Sequence, residues 1–147
     1  MFKLIMSYTL LLIATIVSFV GGDSFAQTDY IMSIVNDEKI NDNTIEFDVF
    51  IRSALSTFVL TSYQCSFAFN QNIINNGNLS FSYIPQTSEL DTLIPATSIG
   101  LVDQDGYYFL TFASLPGNES ISTARKKVGR FRLTNSNIFT NEGLNIK

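Results

Sequence analysis

The most informative part of the chain is residues 58–83, which read FVLTSYQCSFAFNQNIINNGNLSFSY. Large side chains occupy alternate positions in both halves of this segment, at Tyr63, Cys65, Phe67 and Phe69 and then at Leu79, Phe81 and Tyr83. A period of two places successive side chains on opposite faces of an extended chain. Asn76-Gly77 between the halves is a favourable turn pair, because both residues tolerate positive φ. The segment therefore predicts two strands joined by a short connection, with their aromatic faces buried against a second sheet.

The composition is that of one globular domain preceded by a leader. The chain has 147 residues, of which 46% are hydrophobic, and its 13 phenylalanines are ample for a core without a metal or a disulfide. The net charge of −4 and the single basic cluster at residues 125–130 exclude nucleic acid as a partner. Cys65 is the only cysteine, and its place on the aromatic face predicts a core residue rather than a reactive thiol.

Residues 1–26 have the pattern of a signal peptide. Lys3 supplies the positive start, residues 4–20 are largely apolar, and Ser24-Phe25-Ala26 forms a small-x-small cleavage signal. A retained transmembrane anchor is the alternative, because the apolar run approaches the length that spans a bilayer. Cleavage after Ala26 would leave residues 27–147 as the mature domain. The predicted location is therefore secreted, extracellular or at the cell surface.

Further strands are predicted along the rest of the chain, with polar turns between them. The predicted strands are residues 30–35, 44–52, 101–102 together with 107–112 as a hairpin, and 127–134. Residues 36–43 and 115–122 have the composition of turns, and the proline-containing residues 85–100 that of a crossover or edge. No helical period occurs outside the leader. The predicted fold class is all-β, a two-sheet antiparallel β-sandwich of the jelly-roll or Greek-key type.

The sequence does not decide which residues form the closing strand of this sandwich. Residues 127–134 alternate well, with Gly129 placed where a β-bulge would shift the phase. Residues 135–147 are mostly polar and make a poor strand. Either they supply the closing strand, or the sandwich lacks one and exposes a ladder edge beside residues 127–134. An open edge of that kind predicts self-association.

The sequence contains little that could perform catalysis. It has no histidine, which excludes Ser-His-Asp and Cys-His mechanisms and removes the commonest zinc ligand. Glu46 and Asp48 share the outward face of the second predicted strand, where carboxylates usually serve as solubilising charges. The oxygen-rich residues 36–43 favour a solvated turn, with a calcium site as the alternative. We therefore predict no enzyme activity, no catalytic residue and no cofactor.

Two strands supply the candidate binding residues. In residues 107–112, Tyr107 and Phe109 share one face, and an aromatic pair can anchor a partner because it buries a large area at little entropic cost. The alternative is that both faces of this strand are core. The outward residues of the second predicted strand are the second candidate surface, formed by Glu46, Asp48 and Arg52.

Three segments carry a resemblance to a known family. They are residues 44–52 (TIEFDVFIR), residues 63–70 followed by Asn76-Gly77, and residues 127–134 (KVGRFRLT). Their order resembles that of a cohesin-like module of the carbohydrate-binding-module superfamily, found in secreted bacterial proteins. The resemblance implies a non-catalytic module for protein–protein interaction, in scaffolding or adhesion. The alternatives are a carbohydrate-binding module of an extracellular polysaccharide-degrading system and a spacer domain without a ligand. The partner is accordingly a protein module or a polysaccharide.

Overall fold

A computed structural model describes residues 30–104 and 107–140, without the side chains of residues 97–104 and 107. The predicted leader, its cleavage site and residues 141–147 lie outside the described residues. The strands are β1 (Tyr30–Asn41), β2 (Thr44–Ser53), β3 (Phe58–Leu60), β4 (Gln64–Phe69), β5 (Leu79–Ile84), β6 (Pro95–Gln104), β7 (Tyr107–Ser114), β8 (Glu119–Ile121) and β9 (Lys126–Asn135). A 3₁₀ turn, Gln71–Ile74, lies between β4 and β5.

The strands form two main antiparallel sheets and one short pair. The four-stranded sheet has the order β1-β2-β9-β5, the three-stranded sheet β4-β7-β6, and the short pair β3-β8. Many neighbours in these sheets are not consecutive in the chain, as in jelly-roll and Greek-key sandwiches. The prediction of an all-β, sandwich-like fold is confirmed.

The core between the two main sheets is built from phenylalanine rings. Phe112 of the three-stranded sheet lies 4.4 Å, centroid to centroid, from Phe131 of the four-stranded sheet. Phe81 of β5 lies 5.4 Å from Phe131 and 6.4 Å from Phe112. Phe67 and Phe69 of β4 are also buried. The aromatic faces predicted from residues 58–83 are therefore in the core, where burial of large apolar surface supplies most of the stabilisation.

The short connection between β4 and β5 crosses from one sheet to the other. β4 pairs with β7, whereas β5 pairs with β9. Asn75 and Asn76, in the turn that follows the 3₁₀ segment, have φ of 52° and 57°. The Asn76-Gly77 pair is typical of hairpins, but here it helps to turn the chain between sheets. The two strands consequently do not share a ladder, and Phe67 of β4 and Phe81 of β5 both pack against Phe112 of β7.

The first strand is longer than predicted. β1 continues beyond Val35 to Asn41, so most of the predicted turn at residues 36–43 is strand, and the turn itself is Asp42-Asn43. Asn36 has a φ of 54°, and the register with β2 shifts between Val35 and Glu38. Asparagine adopts this left-handed conformation at low cost. The strand therefore passes the polar residues with a β-bulge or similar irregularity, and its pairing with β2 continues beyond them.

Two predictions about the second half of the chain are wrong. Residues 115–122 are not only a turn, because they contain β8, which pairs with β3 and buries Ile121. β9 is not beside an open edge, because it lies between β2 and β5. The predicted self-association therefore loses its basis at this strand. After β9, the Phe139 side chain enters the core while its N–H donates to the carbonyl of Asp42 at 2.8 Å.

The predicted bulge in β9 and the predicted β6–β7 hairpin are confirmed. Val49 pairs with Gly129 and Phe50 with Lys127, which leaves Val128 as the extra residue. Both Val128 and Gly129 are buried. A Cβ atom on Gly129 would lie only 2.5 Å from the Tyr83 ring, so this position requires glycine for close approach. In the hairpin Gln104 pairs with Tyr107, and residues 105–106 lie outside the described residues.

Candidate functional site

Phe109 lies on one outer face of the sandwich, and Glu46, Asp48 and Arg52 lie on the opposite one. Tyr107 and Phe109 belong to β7, and the alternate residues of that strand point into the core. Glu46, Asp48 and Arg52 belong to β2, whose alternate residues are likewise buried in the core. The structure therefore does not bring the predicted residues together into one site.

Glu46 and Asp48 are buried in an ion-pair network, contrary to the prediction that they face solvent. Glu46 is only 8% exposed to solvent and Asp48 only 5%. The network comprises Glu38, Glu46, Asp48, Lys127, Arg130 and Arg132. The β2–β9 register explains it, because Glu46 pairs with Arg132 and Asp48 with Arg130 across the ladder. Alternation in β2 alone could not show that the neighbouring strand supplies cations.

Arg130 is the centre of the ion-pair network. Its Nε donates to Glu46 Oε2 at 2.7 Å, its Nη1 to Asp48 Oδ1 at 3.2 Å and its Nη2 to Glu38 Oε2 at 3.1 Å. The Arg130 side chain is only 19% exposed. Lys127 adds a second cation to Asp48 at 2.8 Å. The three carboxylates and three cations balance, so this face presents little unpaired charge to a partner.

The charged forms of both buried carboxyls are favoured. The hydrogen bond from Arg130 holds the pKa of Glu46 below its usual value. For Asp48 burial raises the pKa, but hydrogen bonds from Asn36, Lys127 and Arg130 outweigh it and the pKa is lowered. A general acid must keep its proton near the working pH. Neither carboxyl fits that requirement at neutral pH, and the network has the character of a structural element.

Arg52 lies near the end of β2, on the same outer face as the ion-pair network. It is partly exposed and pairs in register with Ile31 of the edge strand β1. Within residues 30–104 and 107–140 it forms no ion pair, in contrast to the network residues. No ion pair among the described residues therefore fixes the orientation of the Arg52 guanidinium towards a partner.

A separate buried carboxylate joins the β8–β9 region to the preceding loop. Glu119 accepts from the N–H groups of Asp91 at 2.9 Å and Thr92 at 3.3 Å, and from Lys126 Nζ at 2.6 Å. Burial raises the pKa of Glu119, but these hydrogen bonds outweigh burial and lower the pKa overall. Two of the basic residues at 125–127 are thus committed to internal partners, Lys126 to Glu119 and Lys127 to Asp48.

Acid is expected to destabilise the domain through these three carboxyls. Their pKa values are lower in the folded state than the ordinary values of 4.5 for Glu46 and Glu119 and 3.8 for Asp48. The stability they contribute is present above the unfolded-state pKa and is lost as the pH falls through the folded-state pKa. Urea unfolding should therefore show a constant contribution between neutral pH and about pH 5 and a decline below it. A free energy of unfolding that rises on acidification below pH ~4 would contradict this assignment.

The outer face of the three-stranded sheet is uncharged over its described part. This Phe109 face consists of Gln64, Ser66 and Ala68 of β4 and Phe109, Thr111 and Ala113 of β7. Phe109 lies on the central strand, partly exposed, with Ala68 opposite it on one side and the backbone of Val102 on the other. Ser66 Oγ and Thr111 Oγ1 hydrogen-bond at 2.8 Å. The Tyr107 side chain lies outside the described atoms, while its backbone continues the strand.

A cleft at one end of the sandwich was not predicted from the sequence. It is open to solvent and has a volume of about 580 Å³. This amide cleft is lined by Gln71, Asn72, Ile74, Asn75, Asn76, Gly77, Tyr108 and Thr140. Most of its wall is the connection between β4 and β5, and Tyr108 of β7 and Thr140 beyond β9 complete it. The run of asparagines was visible in the sequence, but the residues that complete the wall are distant in the chain.

The loop that forms the amide cleft is fixed by the segment after β9. Asn135 Nδ2 donates to the Ile74 carbonyl at 2.7 Å, and Asn137 Nδ2 donates to the Asn75 carbonyl at 2.9 Å. Thr140 N–H donates to the Ile73 carbonyl at 3.2 Å. These bonds satisfy the carbonyls of Ile73, Ile74 and Asn75 and fix the loop against the end of β9.

Gly77 is required where the loop approaches Asn135. A Cβ atom at position 77 would lie 2.0 Å from Asn135 Oδ1, closer than any real contact. This Oδ1 atom is buried and has no conventional hydrogen-bond partner among the described residues. It faces the Cα hydrogen of Gly77, where a weak C–H···O contact is the available interaction. Glycine thus permits the packing that holds the wall of the cleft.

The described residues do not provide a metal centre. No group of three or more His, Cys, Asp or Glu side chains in residues 30–104 and 107–140 could hold an ion. The oxygen-rich segment considered for calcium uses its side chains internally, since Asn36 donates to Asp48 and Asp42 pairs with Lys39. In the same residues no helix is long and apolar enough to cross a membrane.

Cys65 lies at the margin of the core. It is partly buried and packs against the core residues, and burial raises the pKa of its thiol to about 11. A thiol with a raised pKa is mostly protonated and therefore a poor nucleophile at neutral pH. This agrees with the prediction of a packing residue rather than a reactive one.

The fold and its surfaces define an all-β, sandwich-like domain with two uncommitted surfaces, the Phe109 face and the amide cleft. Comparison with known proteins found no matching family model, no similar curated protein and no similar solved structure. The resemblance to cohesin-like modules therefore rests on the three sequence segments alone.

Proposed function

We propose that the chain is a non-catalytic, secreted binding module that docks a protein partner through the Phe109 face. The observation that carries the proposal is the position of Phe109, partly exposed at the middle of a sheet whose other face is packed in the core. Secretion rests on the leader pattern of residues 1–26. Cohesin-like scaffolding or adhesion is the biological role that the sequence resemblance implies.

The Phe109 ring has the features of an interface anchor. It stands on a central strand held on both sides by ladders, so little conformational entropy is lost when it is covered. Ala68 beside it is small, which leaves the ring accessible to a partner surface. Aromatic side chains surrounded by weaker contacts commonly provide most of the binding energy of an interface.

The opposite face is the weaker candidate for the same role. Its carboxylates, Glu46 and Asp48, are buried and already paired. A partner would have to compete with these internal ion pairs and would gain little from replacing them. This favours the Phe109 face over the second predicted surface, formed by Glu46, Asp48 and Arg52.

Extended polysaccharide is a less suitable ligand for the Phe109 face. A flat sugar chain stacks on a row of planar rings, and the chain contains no tryptophan. The six described residues of this face contribute one aromatic ring, that of Phe109. A mixture of apolar and small polar groups around one ring is closer to the chemistry of a protein interface.

Phe109→Ala is expected to abolish partner binding while leaving the fold intact. The residue faces outward, so its truncation should cost no more than about 1.5 kcal/mol of unfolding free energy. The immobilised full chain would be exposed to secreted proteins of the source organism, and captured proteins quantified by mass spectrometry. The matched control is Phe50→Ala, which removes a partly exposed phenylalanine from the outer face of the other sheet.

The proposal predicts one captured protein that wild type and Phe50→Ala retain and Phe109→Ala loses by at least about tenfold. Retention by Phe109→Ala, or a matching loss with Phe50→Ala, would place the interface elsewhere. If wild type captures nothing, the docking proposal fails and the spacer alternative is preferred.

A further inference from the structure

We propose that the amide cleft is a second site, which binds a short neutral oligosaccharide. It does not depend on the Phe109 face, because Tyr108 and Phe109 point to opposite sides of β7.

The lining of the cleft is uncharged and rich in carboxamides. Four of its eight residues, Gln71, Asn72, Asn75 and Asn76, carry an amide side chain, and none of the eight is acidic or basic. Each amide offers two N–H donors and a carbonyl acceptor, which matches hydroxyl groups that both donate and accept. An anionic or cationic ligand would find no opposite charge here. The chemistry of the lining therefore selects a neutral polyhydroxyl compound.

The amides of the cleft are largely uncommitted. Within the described part of the chain, the exposed side chains of Asn72 and Asn76 form no hydrogen bond, and Asn75 Nδ2 donates only to the Ile138 carbonyl, at 3.3 Å. By contrast, the amides of Asn135 and Asn137 are used to fix the loop backbone. The asparagines thus have two roles. Asn135 and Asn137 hold the loop in place, whereas Asn72, Asn75 and Asn76 line the cleft.

The cleft is also preorganised. Asn75 and Asn76 are consecutive non-glycine residues in the left-handed region, with φ of 52° and 57°. Asparagine adopts this conformation at low cost, so the two residues set the direction of the turn without strain. The bonds from residues 135–140 hold the backbone of this turn, so the backbone positions that carry the amides are fixed before a ligand arrives. Preorganisation lowers the entropic cost of binding and favours weakly held ligands such as sugars.

Tyr108 gives the cleft an apolar wall. Its ring packs against Phe69, with 5.8 Å between centroids, and is partly exposed. A ring fixed in this way can contact the C–H groups of a sugar while its hydroxyl hydrogen-bonds. A volume of about 580 Å³ is sufficient for a short oligosaccharide.

The test is a titration of the ¹⁵N-labelled full chain, followed by NMR, with cellohexaose, xylohexaose and mannohexaose at millimolar concentration. Trigalacturonic acid serves as the charged comparison. The side-chain amide signals of Asn72 and Asn76 should shift with at least one neutral hexaose. Trigalacturonic acid should have no effect, and the amide of Gln86, at the other end of β5, should remain unchanged.

The decisive variant is Asn72→Ala combined with Asn76→Gly. Glycine accepts the left-handed conformation at position 76, so the loop keeps its shape while losing two amides. Affinity should fall at least about tenfold. Gln86→Gly is the matched control, since Gln86 is exposed and has a φ of 64°, and it should bind as wild type does.

The proposal is overturned if none of the three neutral hexaoses shifts the amide signals, if trigalacturonic acid binds more tightly, or if the double variant binds as wild type does. An unchanged unfolding midpoint of the double variant distinguishes a lost site from a lost fold. Because Phe109 is untouched, loss of sugar binding and loss of protein capture are separate results.

Discussion

Replacing Arg130 with methionine is expected to lower the free energy of unfolding by about 3 kcal/mol. The arginine serves two buried carboxylates, Glu46 and Asp48, and removing one partner of a buried pair leaves charge uncompensated. The loss falls at the lower end of the usual range because each carboxylate keeps one cation, Arg132 or Lys127. Urea unfolding at neutral pH measures the change.

Arg132→Met is the matched control for that experiment. Arg132 also contacts Glu46, but its side chain is 49% exposed and solvent screens the pair. Its replacement should cost about 1 kcal/mol or less. Equal losses for the two variants would show that Arg130 is not the centre of the ion-pair network.

Truncating Phe112 to alanine is expected to cost about 3–5 kcal/mol, enough to unfold a domain of marginal stability. Its ring is completely buried and lies 4.4 Å from Phe131 and 5.9 Å from Phe67. The Phe112 ring therefore packs the two sheets against each other, and alanine would leave a cavity between them. Thermal and urea unfolding of the variant would measure the loss.

Phe109→Ala, three residues earlier on the same strand, is the control for the effect of replacing a phenylalanine by alanine at a position outside the core. Its ring lies on the outer face, so the same truncation should cost at most about 1.5 kcal/mol. If Phe112→Ala cost less than Phe109→Ala, the inward and outward faces of β7 would have been assigned the wrong way round.

Strand identity and facing could be read from the sequence wherever the period of two was clear. In β2 the alternate apolar residues are buried, as the period of two predicts: Ile45, Phe47, Val49 and Ile51. The bulge beside Gly129 was also predictable, because glycine interrupts an otherwise regular pattern. These features are local, and each follows from the pleat of a single strand.

Strand pairing could not be read in the same way. Nothing in residues 58–83 shows that β4 and β5 belong to different sheets, since both arrangements bury the same rings. The polar residues after Val35 predicted a turn, yet the ladder with β2 continues across them. In both places pairing with another strand decided the outcome over local preference.

The candidate sites show the same division. The exposure of Phe109 on an outer face follows from alternation in β7, so the sequence alone pointed to it. The burial of Glu46 and Asp48 depends on cations from β9, more than 80 residues later in the chain. The amide cleft likewise depends on residues 135–140 closing over the asparagine-rich loop.

The sequence by itself determined that this protein is an all-β domain with a phenylalanine core, because alternation and composition are properties of each segment alone. The tertiary structure decided which strands are neighbours, which charges are paired and where an unoccupied surface remains. Those features arise from the register between strands far apart in sequence, and register is set by the packing of the whole core rather than by any one strand.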